Sequence, residues 1–120
     1  MAHFALMWNV KPGTEEAVKE LFRDYGRPEP VVRGEDGSVQ GQLLGTQVFM
    51  KGNTVVRVMD VEGDFVAVAR HLARQPAVQD LESKLDQYLE LPRDHSSPEA
   101  MAKFFQQSSM QLLLARTKDD

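Results

Sequence analysis

The chain has 120 residues, no cysteine and a formal net charge of −4. This length fits one domain that buries about two-thirds of its unfolded surface, so a hydrophobic core is expected. The missing cysteines exclude disulfides, thiolate metal sites and cysteine nucleophiles. The acidic balance argues against general nucleic-acid binding, which needs a basic face.

In the N-terminal segment, both the odd-numbered and the even-numbered positions are mostly apolar. Within residues 3–10, Phe4, Leu6 and Trp8 alternate with Ala5 and Met7, which predicts a strand that is covered on both faces. The segment is too short to cross a membrane and no cationic leader precedes it. We therefore expect no membrane contact and a cytoplasmic protein.

A first helix and a hairpin follow in chain order. After a turn at residues 11–13, Thr14 suits an N-cap, and an apolar stripe runs on to Tyr25. Residues 27–41 hold two prolines and three glycines and predict a long loop. Residues 42–51 and 53–61 predict two strands joined by a tight turn around Gly52.

The last third predicts helices and a final strand. Asp64 can cap a helix that begins at Phe65, and Pro76 separates it from a second helical segment ending near Leu89. A short helix over residues 100–105 and a strand over residues 110–117 ("MQLLLART") complete the chain. The predicted order is therefore β-α-β-β-α-(α)-β.

This order predicts an α+β fold of the ferredoxin-like βαββαβ type, a four-stranded antiparallel sheet with helices on one face, in one domain spanning residues 1–120. The apolar second face of the first strand would be an aggregation hazard in solvent. We therefore expect that face to pack on another copy, giving a homodimer of the dimeric α/β-barrel type.

Three stretches resemble a known family. "ALMWNVKPGTEEAVKELF", "LLGTQVFMKGNTVVRVMDVEGDF" and "HLARQPAVQDLESKLDQYLELPRD" closely resemble SchA/CurD-like proteins from gene clusters for aromatic polyketides and spore pigments. The resemblance covers nearly the whole chain, and its middle block is the most specific. It implies a role in aromatic polyketide biosynthesis, with a polyketide intermediate as ligand and synthase components as further partners.

Two weaker resemblances concern enzymes of the same fold. The opening "ALM" strand, the acidic "DVEGD" and the "QYL" near the end of the second helical region are similar to tetracenomycin-type polyketide cyclases. The histidines of those cyclases are absent here, where the corresponding stretches read "RDYG" and "FMKGNTVV". Cofactor-free monooxygenases that convert anthrones to quinones are similar in fold only.

The residues carry no phosphate loop, dinucleotide fingerprint or metal-spaced cluster, and the histidines His3, His71 and His95 are scattered. Neither a metal nor another cofactor is therefore expected.

Cyclisation and monooxygenation both begin by forming an enolate. Each reaction requires a base that removes the proton, a hydrogen-bond donor at the developing oxyanion and a dry cavity.

His71 and Arg57 are the candidate catalytic residues. Histidine is the side chain most often used as a base near neutral pH, although His71 could equally be a surface histidine. Arg57 lies mid-strand between Val55 and Met59. A charge among apolar neighbours needs partners, so Arg57 faces either a ligand or a second subunit.

Six further residues are candidates for substrate binding, although each could instead have only a packing or surface role. By alternation, Gln47 shares a strand face with Leu43, Gly45, Phe49 and Lys51. The six candidates are Trp8, Asn9, Tyr25, Gln47, Arg74 and Tyr88.

The sequence therefore predicts a protein that binds a poly-β-ketone or polycyclic intermediate and promotes its cyclisation or aromatisation. Two alternatives stay open at this stage. One is a cofactor-independent, quinone-forming monooxygenase. The other is a non-catalytic accessory partner of the synthase.

Overall fold

A computed structural model describes residues 2–93 and 97–119 of the chain. His95 lies outside the described residues. Four strands and four helices follow one another as β1 (Ala2–Asn9), α1 (Glu15–Arg23), β2 (Val31–Arg33), β3 (Val39–Lys51), β4 (Thr54–Gly63), α2 (Phe65–Ala73), α3 (Pro76–Asp86) and α4 (Pro98–Ser108).

The sheet is antiparallel, with the strand order β1-β4-β3-β2. The predicted α+β class, with four antiparallel strands and helices on one face, is confirmed. The fourth strand is not the predicted one, however. β2 arises inside the loop predicted over residues 27–41, where only Val31, Val32 and Arg33 pair with β3. A run of three residues was too short to be recognised from alternation.

A bulge in β3 changes which side chains share a face. The register with β4 shifts between Leu43 and Gly45, where one extra residue is accommodated. Leu43 consequently packs against the hydrophobic core, whereas Gln47 and Phe49 lie on the opposite face and are exposed. The predicted grouping of Leu43 with Gln47 and Phe49 was therefore wrong, because strict alternation fails at a bulge.

The core lies between the sheet and the helices and divides into two clusters. One cluster joins Met59 and Val61 of β4 to Val68 and Leu72 of α2. The other packs Val10, Val18 of α1, Val55, Leu85 of α3 and Leu89 together. Alternate residues of β4 face this layer, which is why Val55, Arg57, Met59 and Val61 are its buried positions.

A tight corner connects β4 to α2 and positions one wall of the functional site. Gly63 has a positive φ of 84°, a conformation that costs residues with a Cβ free energy. The Asp64 carboxylate then caps α2 by accepting from the backbone N–H of Val66 at 3.0 Å. This corner fixes where α2 crosses the sheet.

The C-terminal segment forms no strand within the chain, so the prediction of a strand over residues 110–117 was wrong for the single chain. Ser109 makes one isolated bridge to Leu6, and the N–H of Met110 donates to the carbonyl of Ala5 at 2.8 Å. Beyond Met110 the described backbone joins no strand. The predicted homodimer stays a prediction.

Across residues 2–93 and 97–119, none of the helices has both the length and the apolar character needed to cross a membrane.

Candidate functional site

A cavity of about 490 Å³ lies between the sheet and helices α2, α3 and α4. We call it the central cavity. Its volume falls within the range of about 300–1,000 Å³ found for small-molecule sites. Its lining residues are Leu6, Arg57, Met59, Val61, Phe65, Val68, Ala69, Leu72, Ala73, Val78, Gln79, Glu82, Ser83, Asp86, Arg93, Phe104 and Phe105.

Aromatic rings form much of one side of the central cavity. Phe65 at the start of α2 stacks on Phe4 of β1, with ring centroids 4.0 Å apart. Phe105 of α4 lies 5.8 Å from Phe65, in a tilted arrangement. These rings and the branched aliphatic residues of α2 offer a flat, apolar surface of the kind that binds planar ligands.

Charged residues form another part of the lining. Arg57 is only 9% exposed, and its Nη1 donates to the Glu82 carboxylate at 3.2 Å. Arg93 pairs with the other Glu82 oxygen and donates through Nε to Asp86 at 2.6 Å. Two arginines and two carboxylates thus form one network at the cavity wall.

Glu82 and Tyr25 hold the Arg57 guanidinium, yet its Nε has no acceptor among the described residues. Nη2 points to the Tyr25 hydroxyl at 3.5 Å, and the guanidinium carbon lies 5.9 Å from the centre of the Tyr25 ring. Nε is buried and makes no hydrogen bond to residues 2–93 or 97–119. A buried donor without a partner costs about 1–3 kcal/mol.

Arg93 connects this network to α4. The Arg93 guanidinium lies over the Phe104 ring at 5.4 Å, and its Nη2 donates to the Glu82 carbonyl at 3.0 Å. The Arg93 side chain is 7% exposed. Because it bonds to both Glu82 and Asp86, Arg93 fixes the carboxylate that in turn holds Arg57.

Of the eight candidates from the sequence, the structure brings only Arg57 and Tyr25 together at this site. The Arg57 side chain lies among the residues that line the central cavity, and its ligand role stays a prediction. Gln47 lies on the other face of the sheet and is exposed. The alternating sequence pattern located Arg57 in the middle of a strand. The pairing of that strand with β1 shows on which face of the sheet the Arg57 side chain lies.

His71 lies outside the lining of the central cavity. Its Nε2 is 2.7 Å from the carbonyl oxygen of Glu29, so Nε2 must carry a proton, since a carbonyl can only accept. Gln75 contacts the same nitrogen at 3.3 Å. His71 thus holds the loop before β2 against α2, and its catalytic role stays a prediction.

The other candidates are also away from the central cavity. Asn9 is exposed and accepts from the Thr54 hydroxyl at 2.9 Å. Trp8 and Tyr88 are half-buried against the second core cluster, and the indole Nε1 of Trp8 is buried without a partner. Arg74 is an exposed residue at the C-cap of α2. Their ligand-binding roles stay predictions.

Glu82, Asp86 and Arg93 were missed by the sequence analysis. A signal for the first two existed, because Gln79, Glu82 and Asp86 recur at helical spacing beside the apolar stripe of α3. A row of polar residues with this spacing is more often a helix face exposed to solvent. Arg93 follows the last turn of α3 in a loop, where no periodicity indicates which way a side chain points.

Comparisons with known proteins find relatives in sequence and in fold. The SchA/CurD like domain matches residues 1–117. The 42.8 kDa protein in whiE locus of Streptomyces coelicolor is 42% identical over 106 residues, covering 88% of this chain and 25% of that protein. Polyketide synthase CurD of Streptomyces cyaneus is 42% identical over 106 residues, covering 88% of this chain and 28% of that protein.

The chain therefore spans about a quarter of the length of these curated relatives. Among solved structures, tetracenomycin F2 cyclase from Streptomyces glaucescens, described as a type-II polyketide cyclase, aligns over 98% of both chains. Its TM-score is 0.56 and its sequence identity 16%, so this likeness concerns the fold alone.

Proposed function

This chain belongs to the family of SchA/CurD like domains, and on that basis we propose that it acts in aromatic polyketide biosynthesis. It binds a poly-β-ketone or polycyclic intermediate in the central cavity and promotes its cyclisation or aromatisation. A relative named a polyketide synthase and the fold shared with a polyketide cyclase support the pathway. The chemistry of the cavity supports the step.

The observation that carries the proposal is the Arg57 guanidinium in the lining of an aromatic-lined cavity. Its Nη1 donates to Glu82, and a guanidinium has five N–H donors. The group therefore keeps further donors for an oxygen of a bound ketone. The guanidinium cannot lose its proton at working pH, so it serves as a permanent donor.

The balance of charge favours a neutral ketone over a strongly charged ligand. Arg57 and Arg93 contribute two positive charges, and Glu82 and Asp86 contribute two negative charges. The network therefore has no formal excess charge with which to attract a phosphate or carboxylate. A donor in such a setting stabilises the charge that develops on a carbonyl oxygen during reaction.

The proposed reaction is an intramolecular aldol condensation. A methylene between two carbonyls loses a proton to solvent water, and the resulting carbon nucleophile attacks a second carbonyl carbon in the same molecule. The attacked oxygen takes up the proton as a hydroxyl group, and loss of water then gives the unsaturated ring. The Arg57 guanidinium donates to the attacked oxygen while that oxygen gains negative charge.

The cavity itself makes the second contribution. A flexible poly-ketone can close into several rings, and the walls select one by holding the reacting carbons together. Because binding already holds the two reacting groups in position, the entropic part of the activation free energy falls by several kcal/mol. Phe65 and Phe105 supply the flat surface for the growing aromatic ring.

Reconstitution with a minimal polyketide synthase tests the function. We expect the protein to convert a mixture of spontaneously cyclised products into one main product, equally in air and under anaerobic conditions. A change that requires oxygen would instead indicate a monooxygenase. An unchanged product pattern in both atmospheres, with binding to a synthase component, would indicate an accessory protein, and either result contradicts the proposal.

A further inference from the structure

Helix α4 forms one wall of the central cavity but contributes little to the core. Among its described side chains, those at positions 99, 100 and 103–108, Ser108 alone is buried. Phe104 and Phe105 line the central cavity and are only half-buried. Most of the stability of a helix within a protein comes from the packing of its apolar face. The protein itself therefore gives α4 little of that stability.

Helix α3 is a suitable comparison for α4. Both helices have 11 residues and begin with a proline. The N-cap of α4 is the better one, because the Ser97 side chain accepts from the N–H of Ala100 at 3.1 Å, whereas α3 has no side-chain cap. α3, however, buries Val78, Leu81 and Leu85. The two helices therefore differ in burial, and a helix of this length is marginal in water without such contacts.

The contacts that fix α4 lie at its C-terminal end and on its cavity side. Just beyond the C-terminal end, the N–H of Met110 donates to the carbonyl of Ala5 in β1 at 2.8 Å. On the cavity side, the Phe105 ring lies 5.8 Å from the Phe65 ring, and the Arg93 guanidinium lies over the neighbouring phenylalanine at 5.4 Å. The ring contacts can separate while the backbone hydrogen bond to β1 stays in place.

We infer that α4 is a lid on the central cavity, which opens in the free protein and closes on a bound planar ligand. This inference rests on the proposed function, because it takes the ligand of that proposal. A planar ligand in the cavity would bury the half-exposed rings of Phe104 and Phe105, and so supply the contacts that the core does not. Segments with few buried contacts open locally at low free energy, and lids over active sites are drawn from them.

Closure of the lid also bears on the charged network. Arg93 contacts the lid through the Phe104 ring and pairs with Glu82. Glu82 in turn accepts from Arg57. A closed α4 keeps water away from this network, which strengthens the hydrogen bond from the Arg57 guanidinium to a ligand oxygen. An open α4 lets the ligand enter and the product leave.

Hydrogen exchange of the full chain, followed by NMR, tests the opening. In the free protein, the backbone amides of residues 103–108 should exchange at least tenfold faster than those of residues 81–86 in α3. Similar exchange rates in the two helices would overturn the inference.

The same measurement with a planar hydroxyanthraquinone tests the closure. At about 100 times the dissociation constant, the ligand should slow exchange at residues 103–108 at least tenfold. The amides of Gly34 and Gly37 are the control, because they bond within the β2–β3 turn and lie outside the cavity lining. Their exchange should not change. A ligand that binds and leaves residues 103–108 unaffected would overturn the inference.

Two variants at Gln106 test whether the stability of α4 limits binding. Gln106 is exposed and does not line the central cavity. Gln106→Gly lowers the helix propensity of α4 and with it the closed fraction, so binding of the hydroxyanthraquinone should weaken about fivefold. Gln106→Ala keeps the propensity and should bind within about twofold of the unaltered protein.

Arg70→Gly is the matched control on another helix. Arg70 is exposed on α2, and Val68 and Leu72 hold that helix in the core. The glycine should therefore lower overall stability while the affinity stays within about twofold. Titration calorimetry measures all three variants.

The outcomes separate the lid from the proposed function. Equal affinities of the two Gln106 variants, or a loss as large for Arg70→Gly, would contradict the lid while the ligand still binds. No binding of the hydroxyanthraquinone by the unaltered protein would contradict the proposed function and the lid together.

Discussion

Arg57 is the only charged residue of β4 that faces the helix layer. Its neighbours on that face are Val55, Met59 and Val61, so its charge would be costly without Glu82 and Tyr25. We propose that this arginine is held in the cavity wall to donate to a ligand. This reasoning gives Arg57 the central place in the proposed site.

Replacing Arg57 by methionine should weaken binding of a planar hydroxyanthraquinone by about 10- to 100-fold. The loss reflects one hydrogen bond to a charged donor, worth about 1.5–3 kcal/mol. Arg57→Lys should bind with intermediate strength, because lysine keeps the charge without the planar fork. Titration calorimetry measures both affinities.

Arg70→Met is the control for this prediction, because Arg70 is exposed on α2 and does not line the central cavity. Its affinity should stay within about twofold of the unaltered protein. Equal affinities for the Arg57 and Arg70 variants would show that the Arg57 donor does not touch the ligand.

The residues of the site differ in how well sequence reveals them. Arg57 was predicted because a charge interrupted an apolar strand. Glu82 lay on a recognisable helix face whose partner could not be known. Arg93 follows α3 in a loop, and its contact with Phe104 depends on where α4 packs. Side chains that meet only through tertiary packing are not predictable from spacing.

At the scale of elements, local patterns predicted each helix and most strands. β3 and β4 were recognised from alternation and the Gly52 turn, and α2 from the Asp64 cap. The failures share one cause, which is that a strand requires a neighbour. β2 forms because β3 lies beside it, whereas residues 110–117 have strand composition but no neighbour within the chain.

The corner between β4 and α2 should be intolerant of substitution. A Cβ at Gly63 would lie 2.6 Å from the backbone oxygen of Gln40, and the φ of Gly63 is +84°. Gly63→Ala should therefore lower the free energy of unfolding by more than about 3 kcal/mol, through strain and a clash with backbone that cannot move away.

Gly13→Ala separates the two causes. Gly13 has a φ of +91° but no atom within 4 Å of an added Cβ, so its cost should be only about 1 kcal/mol. Urea unfolding of both variants provides the comparison. Similar losses at the two positions would mean that the corner is not sterically constrained.

For the whole molecule, the sequence predicted the fold class and the family but not the cavity. The layers follow from alternating strands and amphipathic helices. The central cavity exists because α3 and α4 meet the sheet at positions that leave a space above Leu6 and Arg57. That space depends on the tertiary arrangement of four elements, which no single stretch of sequence encodes.

The central claim is that Arg57 in the central cavity directs ring closure of a polyketide. Its most direct test is product analysis of an anaerobic minimal-synthase reaction with Arg57→Met and with Arg70→Met. The account predicts that Arg70→Met forms the main cyclised product as the unaltered protein does. Arg57→Met should reduce that product at least tenfold, since losing one oxyanion donor typically costs about 100- to 1,000-fold in rate. Formation of the same product at an unaltered rate by a folded Arg57→Met variant would contradict the account.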